Sequence, residues 1–193
     1  MARTNHYLIL NKTLSLFLLV AFAPAIFAQQ GLPPEWESRQ LAQSVVDSTQ
    51  RLNPVLTQIN PQEWIKNGAP EAYTRQLQSI QTGARYIAIS AKQFSTDPQK
   101  LSAALDTYLR VQWLETQIGS LEQGVRKYQN PALADLLVAA VSENASARTQ
   151  LQQYILDLAN YRETEMSVMS KEAQQCRSSI ARGQAKPKEK ITK

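Results

Sequence analysis

The chain has 193 residues, 43% hydrophobic and 19% charged, with a net charge of +5, one cysteine and one histidine. That composition belongs to a globular protein with enough length for one core, and a lone cysteine excludes an internal disulfide framework. The one histidine, His6, precedes the apolar stretch near the N-terminus. Downstream of it, histidine-based triads, zinc sites and Glu-x-x-His bundle metal sites are excluded.

Arg3 and Lys12 give the first residues a positive charge, and the uncharged apolar run Thr13 to Ala28 follows. The run is shorter than the roughly 20 apolar residues that span a bilayer, and it ends in small residues. This layout predicts a signal peptide over residues 1–28, cut between Ala28 and Gln29. Ala23 is the poorer cut because Pro24 follows it. No cysteine follows Ala28 for a lipid anchor, so the expected product is periplasmic or secreted, in contact with membrane only through the leader or weakly through its tail. Without the leader, 165 residues with a net charge of +3 remain, a length that suits one domain over residues 29–182.

The helix punctuation is legible in chain order. A first helix is expected from Pro34 to about Leu52, with Trp36, Leu41, Val45, Thr49 and Leu52 inward; Asn53-Pro54 either starts a new helix or kinks this one, which then runs on to Ile59. Asn60-Pro61-Gln62-Glu63 has the order of an N-cap, a proline at the first helical position and a glutamate that reaches back. It opens a short turn that stops at Asn67-Gly68. A second long helix, Pro70 to about Phe94, carries Tyr73, Leu77, Ile80, Ala84, Ile87, Ala91 and Phe94 at three- and four-residue steps.

A third helix is expected from Pro98, capped by Asp97, to about Tyr128, burying Leu101, Leu105, Tyr108, Val111, Leu114, Ile118, Leu121 and Val125. Gly119 and Gly124 interrupt it, through close approach of a neighbouring helix or through simple tolerance. The fourth begins at Asn130-Pro131 and meets no breaker until Gly183. Its first seam is Leu133, Leu137, Ala140, Asn144, Ala147, Leu151, Tyr154, Leu158 and Tyr161; a second runs through Ile155, Met166, Met169, Ala173, Cys176 and Ile180. The eleven-residue step from Ile155 to Met166 is a change of phase. Because this helix outruns the third, a bend near Arg162 to Ser167 is expected, the alternative being an end that projects past the bundle. Cys176 is expected as a small buried residue, with an intermolecular disulfide as the alternative.

No stretch alternates with a two-residue period. The expected fold is all-α: an antiparallel bundle of about four long helices plus one short helical turn, with a disordered Lys-rich tail over residues 183–193. Leu32-Pro33-Pro34-Glu35-Trp36, Pro61-Gln62-Glu63-Trp64, Gly68-Ala69-Pro70-Glu71-Ala72-Tyr73 and the run Tyr128 to Leu137 (YQNPALADLL) resemble an uncharacterised family of exported bacterial helical proteins. The resemblance implies an exported helical domain and carries over no catalytic residue. Periplasmic helical chaperones with Leu-Thr-x-x-Gln repeats are a poorer match, since Leu56-Thr57-Gln58 lacks that spacing.

For function, no glycine-rich phosphate loop, activated nucleophile or cofactor motif is present, so no catalytic, cofactor or metal residue is assigned and the chain is read as a non-enzyme. From Lys171 onward seven basic residues face two acidic ones, while the preceding body is slightly acidic and lacks the basic stripe of a nucleic-acid binder. The leading expectation is an envelope scaffold or binder of a partner protein, with Trp64 on its short turn as the candidate contact and an exposed apolar patch as its signature. One alternative is a carboxylate enzyme acting on cell-wall glycan or peptide, though nothing in the sequence pairs Glu115 with a second carboxylate for it; Glu115 and Glu122, seven apart on one face of the third helix, are candidates only for an all-carboxylate metal site. The simpler reading puts Gln112, Glu115, Glu122 and Arg126 on one solvated stripe. The other alternative is contact with an anionic surface through Lys186, Lys188, Lys190 and Lys193.

Overall fold

The structure, a computed structural model, describes residues 32–184. Ala28, Gln29 and the leader, and Lys186, Lys188, Lys190 and Lys193 of the tail, lie outside the described residues. Within them the chain forms six helices and no strand: α1 (Glu35–Gln50), α2 (Asn53–Leu56), α3 (Pro61–Lys66), α4 (Ala72–Thr96), α5 (Leu101–Tyr128) and α6 (Pro131–Gln184). The long helices alternate in direction. α1 packs on α4 and α6, and α5 packs on the same two, so α1 and α5 sit diagonally in a four-helix bundle.

The interior is the set of stripes read from the sequence, with local corrections. Leu77, Ile80, Ala84, Ile87, Ala91 and Phe94 of α4 are all buried, as are Val111, Leu114, Ile118, Leu121 and Val125 of α5. Each fully buried Leu, Ile or Phe side chain contributes about 1.5–3 kcal/mol over leaving it in water. On α1 the stripe runs through Ser38, Ala42, Val45, Ser48 and Thr49, so Trp36 falls outside it and is 62% exposed. Leu105 and Tyr161 are likewise exposed, and Ala104 and Thr107 take the inward places near Leu105.

Helix ends follow local chemistry with two departures. Asn130 Oδ1 accepts the backbone N–H of Ala132 at 2.8 Å and caps α6 as expected. α3 ends with Gly68 at φ +88°, and Ala69 N–H reaches Trp64 O while Gly68 N–H reaches Ile65 O, the paired closure that a left-handed glycine permits. The expected reciprocal cap at Asn60 does not form: its N–H goes to Gln129 Oε1, and Glu63 turns to Lys66 instead. α5 starts at Leu101 rather than Pro98, because residues 97–100 are spent on the turn from α4 and Asp97 caps nothing. Pro54 has no N–H to extend α1, which stops at Gln50 and resumes only as the single turn of α2.

α6 is one unbroken helix of 54 residues, about 80 Å long, against about 42 Å for α5. The bend expected near Arg162 to Ser167 is absent. No proline or glycine occurs between Pro131 and Gly183 to break the backbone ladder. From Met166 to Arg182 every residue is exposed, so the helix projects past the foot of the bundle; of the second seam only Ile155 packs against the core, and the rest, Cys176 included, is uncovered.

Candidate functional site

Trp64, the contact candidate from the sequence, is a structural plug. It is 1% exposed, packs edge-on to Tyr73 at 5.4 Å and stacks with Tyr128 at 6.3 Å between ring centroids. Its indole N–H donates to Gln129 Oε1 at 3.1 Å. The hydrophobic residues flanking this turn had to go somewhere, and the head of the bundle is where α3, α4 and α5 converge.

The exposed aromatic surface lies elsewhere, on the face shared by α4 and α5. Leu109 and Trp113 stand four residues apart on α5, and Gly83 and Tyr86 three apart on α4, so each pair occupies one helix face. A groove of about 730 Å³ runs between the two helices, lined by these four with Arg75, Gln78, Ser79, Thr82 and Arg110. Gly83 makes the groove possible: a Cβ there would overlap the six-membered ring of Trp113. Trp113 is 42% exposed, Tyr86 51% and Leu109 52%, which gathers three large apolar side chains into one uncovered patch.

The rim is mainly cationic. The Arg110 guanidinium donates to Asp106 at 2.8 Å and lies 5.6 Å from the centroid of Tyr86. The Asp106 hydrogen bond holds the Arg110 proton above its ordinary affinity, despite partial desolvation. Arg85 donates to Thr82 Oγ1 at 3.0 Å, and Arg75 adds a third positive group on the α4 side. Among the described residues, Asp106 is the one acid paired with these groups. The groove is therefore an apolar, aromatic floor with a positive edge and hydroxyl and amide hydrogen-bonders along α4.

The two inward carboxylates do not meet in a cleft. Glu115 is largely buried and pairs with Arg148 of α6 at 2.7 Å, so the expected solvated stripe is broken there. Burial raises the Glu115 proton affinity, outweighing the opposing pull of Arg148. Glu122 pairs with Arg126 one turn on, as its spacing implied, and Arg126 also binds Asp135 at the start of α6. Among the described residues no cluster of three His, Cys, Asp or Glu side chains is arranged to hold a metal. No described helix is long and apolar enough to cross a membrane.

At the foot of the bundle a polar groove of about 390 Å³ is lined by Glu35, Asp97, Lys100 and Arg162 among others. Tyr154 donates to Pro98 O at 2.8 Å, and Arg162 donates to Gln99 O at 3.2 Å and to Glu165 at 2.9 Å. These bonds tie α6 to the α4–α5 turn at the last level where it touches the bundle.

The α4–α5 groove does not follow from the expected stripes, because the α5 stripe passes Trp113 by. The signal was present: Trp113 precedes Leu114 and is off the Val111, Leu114, Ile118 stripe by one position, about 100° around the helix. No protein family, curated protein or solved structure matches the chain.

Proposed function

We propose that this is an exported, non-enzymatic helical bundle that holds a partner protein in the groove between α4 and α5. The observation that carries the reading is Trp113 lying over Gly83, with Tyr86 and Leu109 beside it, as an uncovered aromatic floor. Aromatic and arginine side chains are the groups that dominate protein-binding energy, and the parallel walls of two helices suit an amphipathic helix laid along them. The rim of Arg75, Arg85 and Arg110 favours acidic residues on that helix. Export rests on the leader, from Arg3 through the apolar run to Ala28.

The test is site-specific photo-crosslinking in the native envelope. A photoreactive side chain at Leu109 is expected to give one discrete adduct that is lost when Trp113→Ala is added. The same probe at Leu156, an exposed apolar site on α6, is expected to give none. Equal labelling at 109 and 156, or an adduct indifferent to Trp113, would refute the reading.

A further inference from the structure

The end of α6 poses a physical problem that the bundle does not solve. A helical stretch without tertiary contacts is only weakly held in water, since most helical stability in proteins comes from packing of an apolar face. Met166 to Arg182 has no such packing. Yet its apolar residues are not scattered. Met166, Met169, Ala173, Cys176 and Ile180 follow steps of three, four, three and four, which is the a and d pattern of a heptad. At 100° per residue they span an arc of only about 80°, too narrow for a helix lying in a bilayer surface and suited to a two-stranded seam. At 100° per residue the centre of this seam lies about 60° around the helix from the Tyr154 and Leu158 face.

We infer that the projecting end of α6 pairs with the same segment of a second copy of this chain, as a parallel two-stranded coiled coil. The charges flanking the seam select the partner and its direction. With Met166 at a, Glu172 falls at g and Arg177 at the following e, the two positions that face each other across a parallel pair. Each copy thus offers its glutamate to the arginine of the other, twice by symmetry. The seam itself is self-complementary: in a parallel pair every layer matches like with like, and Cys176 stands opposite Cys176 of the second copy. An antiparallel pair places Cys176 against an a residue and separates the two thiols. Dimerisation would also present two α4–α5 grooves in one assembly, but the inference stands on the α6 seam alone.

The experiment uses the full chain expressed for export and purified. Light scattering over a range of concentrations is expected to show twice the monomer mass. Met169→Lys with Ile180→Lys, both on exposed positions, is expected to give the monomer mass with bundle unfolding unchanged. Diamide, which takes two electrons and two protons from two thiols to leave one disulfide, is expected to link the wild-type dimer through Cys176 and to leave the lysine variant unlinked. Glu172→Arg or Arg177→Glu alone is expected to weaken the dimer about two- to fivefold, and the double exchange to restore it. A monomer at every concentration would overturn the inference. So would a dimer that persists in the lysine variant, or one that diamide fails to link.

Discussion

A Cβ on Gly124 would stand 2.6 Å from Cε1 of Tyr73, so α5 meets the Tyr73 ring of α4 only because residue 124 has no side chain. Tyr73 cannot swing aside freely. Its ring is held edge-on by Trp64 at 5.4 Å and by Tyr128 at 6.0 Å. Alanine at 124 gains about 1 kcal/mol in helix propensity but overpacks this cluster at a cost of about 1–3 kcal/mol. Gly124→Ala is therefore expected to destabilise the bundle. Gly119, with nothing near its missing Cβ, is the control: Gly119→Ala is expected to stabilise by up to about 1 kcal/mol. Urea midpoints moving in opposite directions at constant slope would establish the contrast.

The same aromatic cluster is tied down by one glutamine. Gln129 Oε1 accepts both the Trp64 indole N–H and the Asn60 backbone N–H, each at 3.1 Å, while its Nε2 donates to Gln58 O at 2.7 Å. One side chain from the α5–α6 turn thus fixes the connection between α2 and α3. Trp64→Phe is expected to keep most of the packing and lose about 1 kcal/mol with the indole N–H. Trp64→Ala is expected to lose about 3–5 kcal/mol, the range for emptying a large aromatic site. Equal losses in chemical denaturation would show that the hydrogen bond, not the ring, anchors the head of the bundle.

What was legible in the sequence was decided locally. The α4 stripe from Leu77 to Phe94 and the stop at Gly68 follow from period and turn chemistry, and both are present. What was not legible depends on the choice among competing neighbours. Trp36 and Trp64 have similar local surroundings, each following a glutamate near a helix start, yet one is 62% exposed and the other 1%. Only convergence of α3, α4 and α5 at the head separates them. The groove needed the register of α4 against α5, which sets Gly83 under Trp113, and no periodicity along either helix alone contains that pairing. The bend in α6 was expected from length alone, whereas the backbone had no reason to break.

Asn144 carries the next prediction. It lies in the α6 seam at 3% exposure, and its Oδ1 is buried without a hydrogen-bond partner. An orphaned buried carbonyl of this kind costs about 1–3 kcal/mol, and Asn144→Leu, close in size, removes the cost. The variant is expected to unfold at a higher urea concentration. If the asparagine also fixes how α6 registers against its neighbours, as polar seam residues do in coiled coils, the stabilised variant is expected to show broadened backbone amide resonances along α6. A variant less stable than wild type would place an unseen partner on Oδ1.

Glu115 sets a pH signature of opposite sign to that of an ordinary ion pair. Its carboxyl sits against Arg148 at 2.7 Å, but its Oε1 is buried and unpartnered, and burial raises its proton affinity above that of a free glutamate. Between the unfolded and folded pKa values the native state holds more protons than the unfolded chain. The contribution of this group to stability is therefore complete below the unfolded pKa and is lost as pH rises through the folded one. At neutral pH the ionised Glu115 is a net cost despite its arginine. Glu115→Gln keeps the shape and removes the charge, so it is expected to be more stable than wild type at neutral pH. The two should converge at about pH 3, well below the free glutamate value of about 4.3. Paired urea titrations at the two pH values measure this directly. If Glu115→Gln is instead the weaker protein at neutral pH and recovers in acid, the attraction of Arg148 outweighs burial and the sign is reversed.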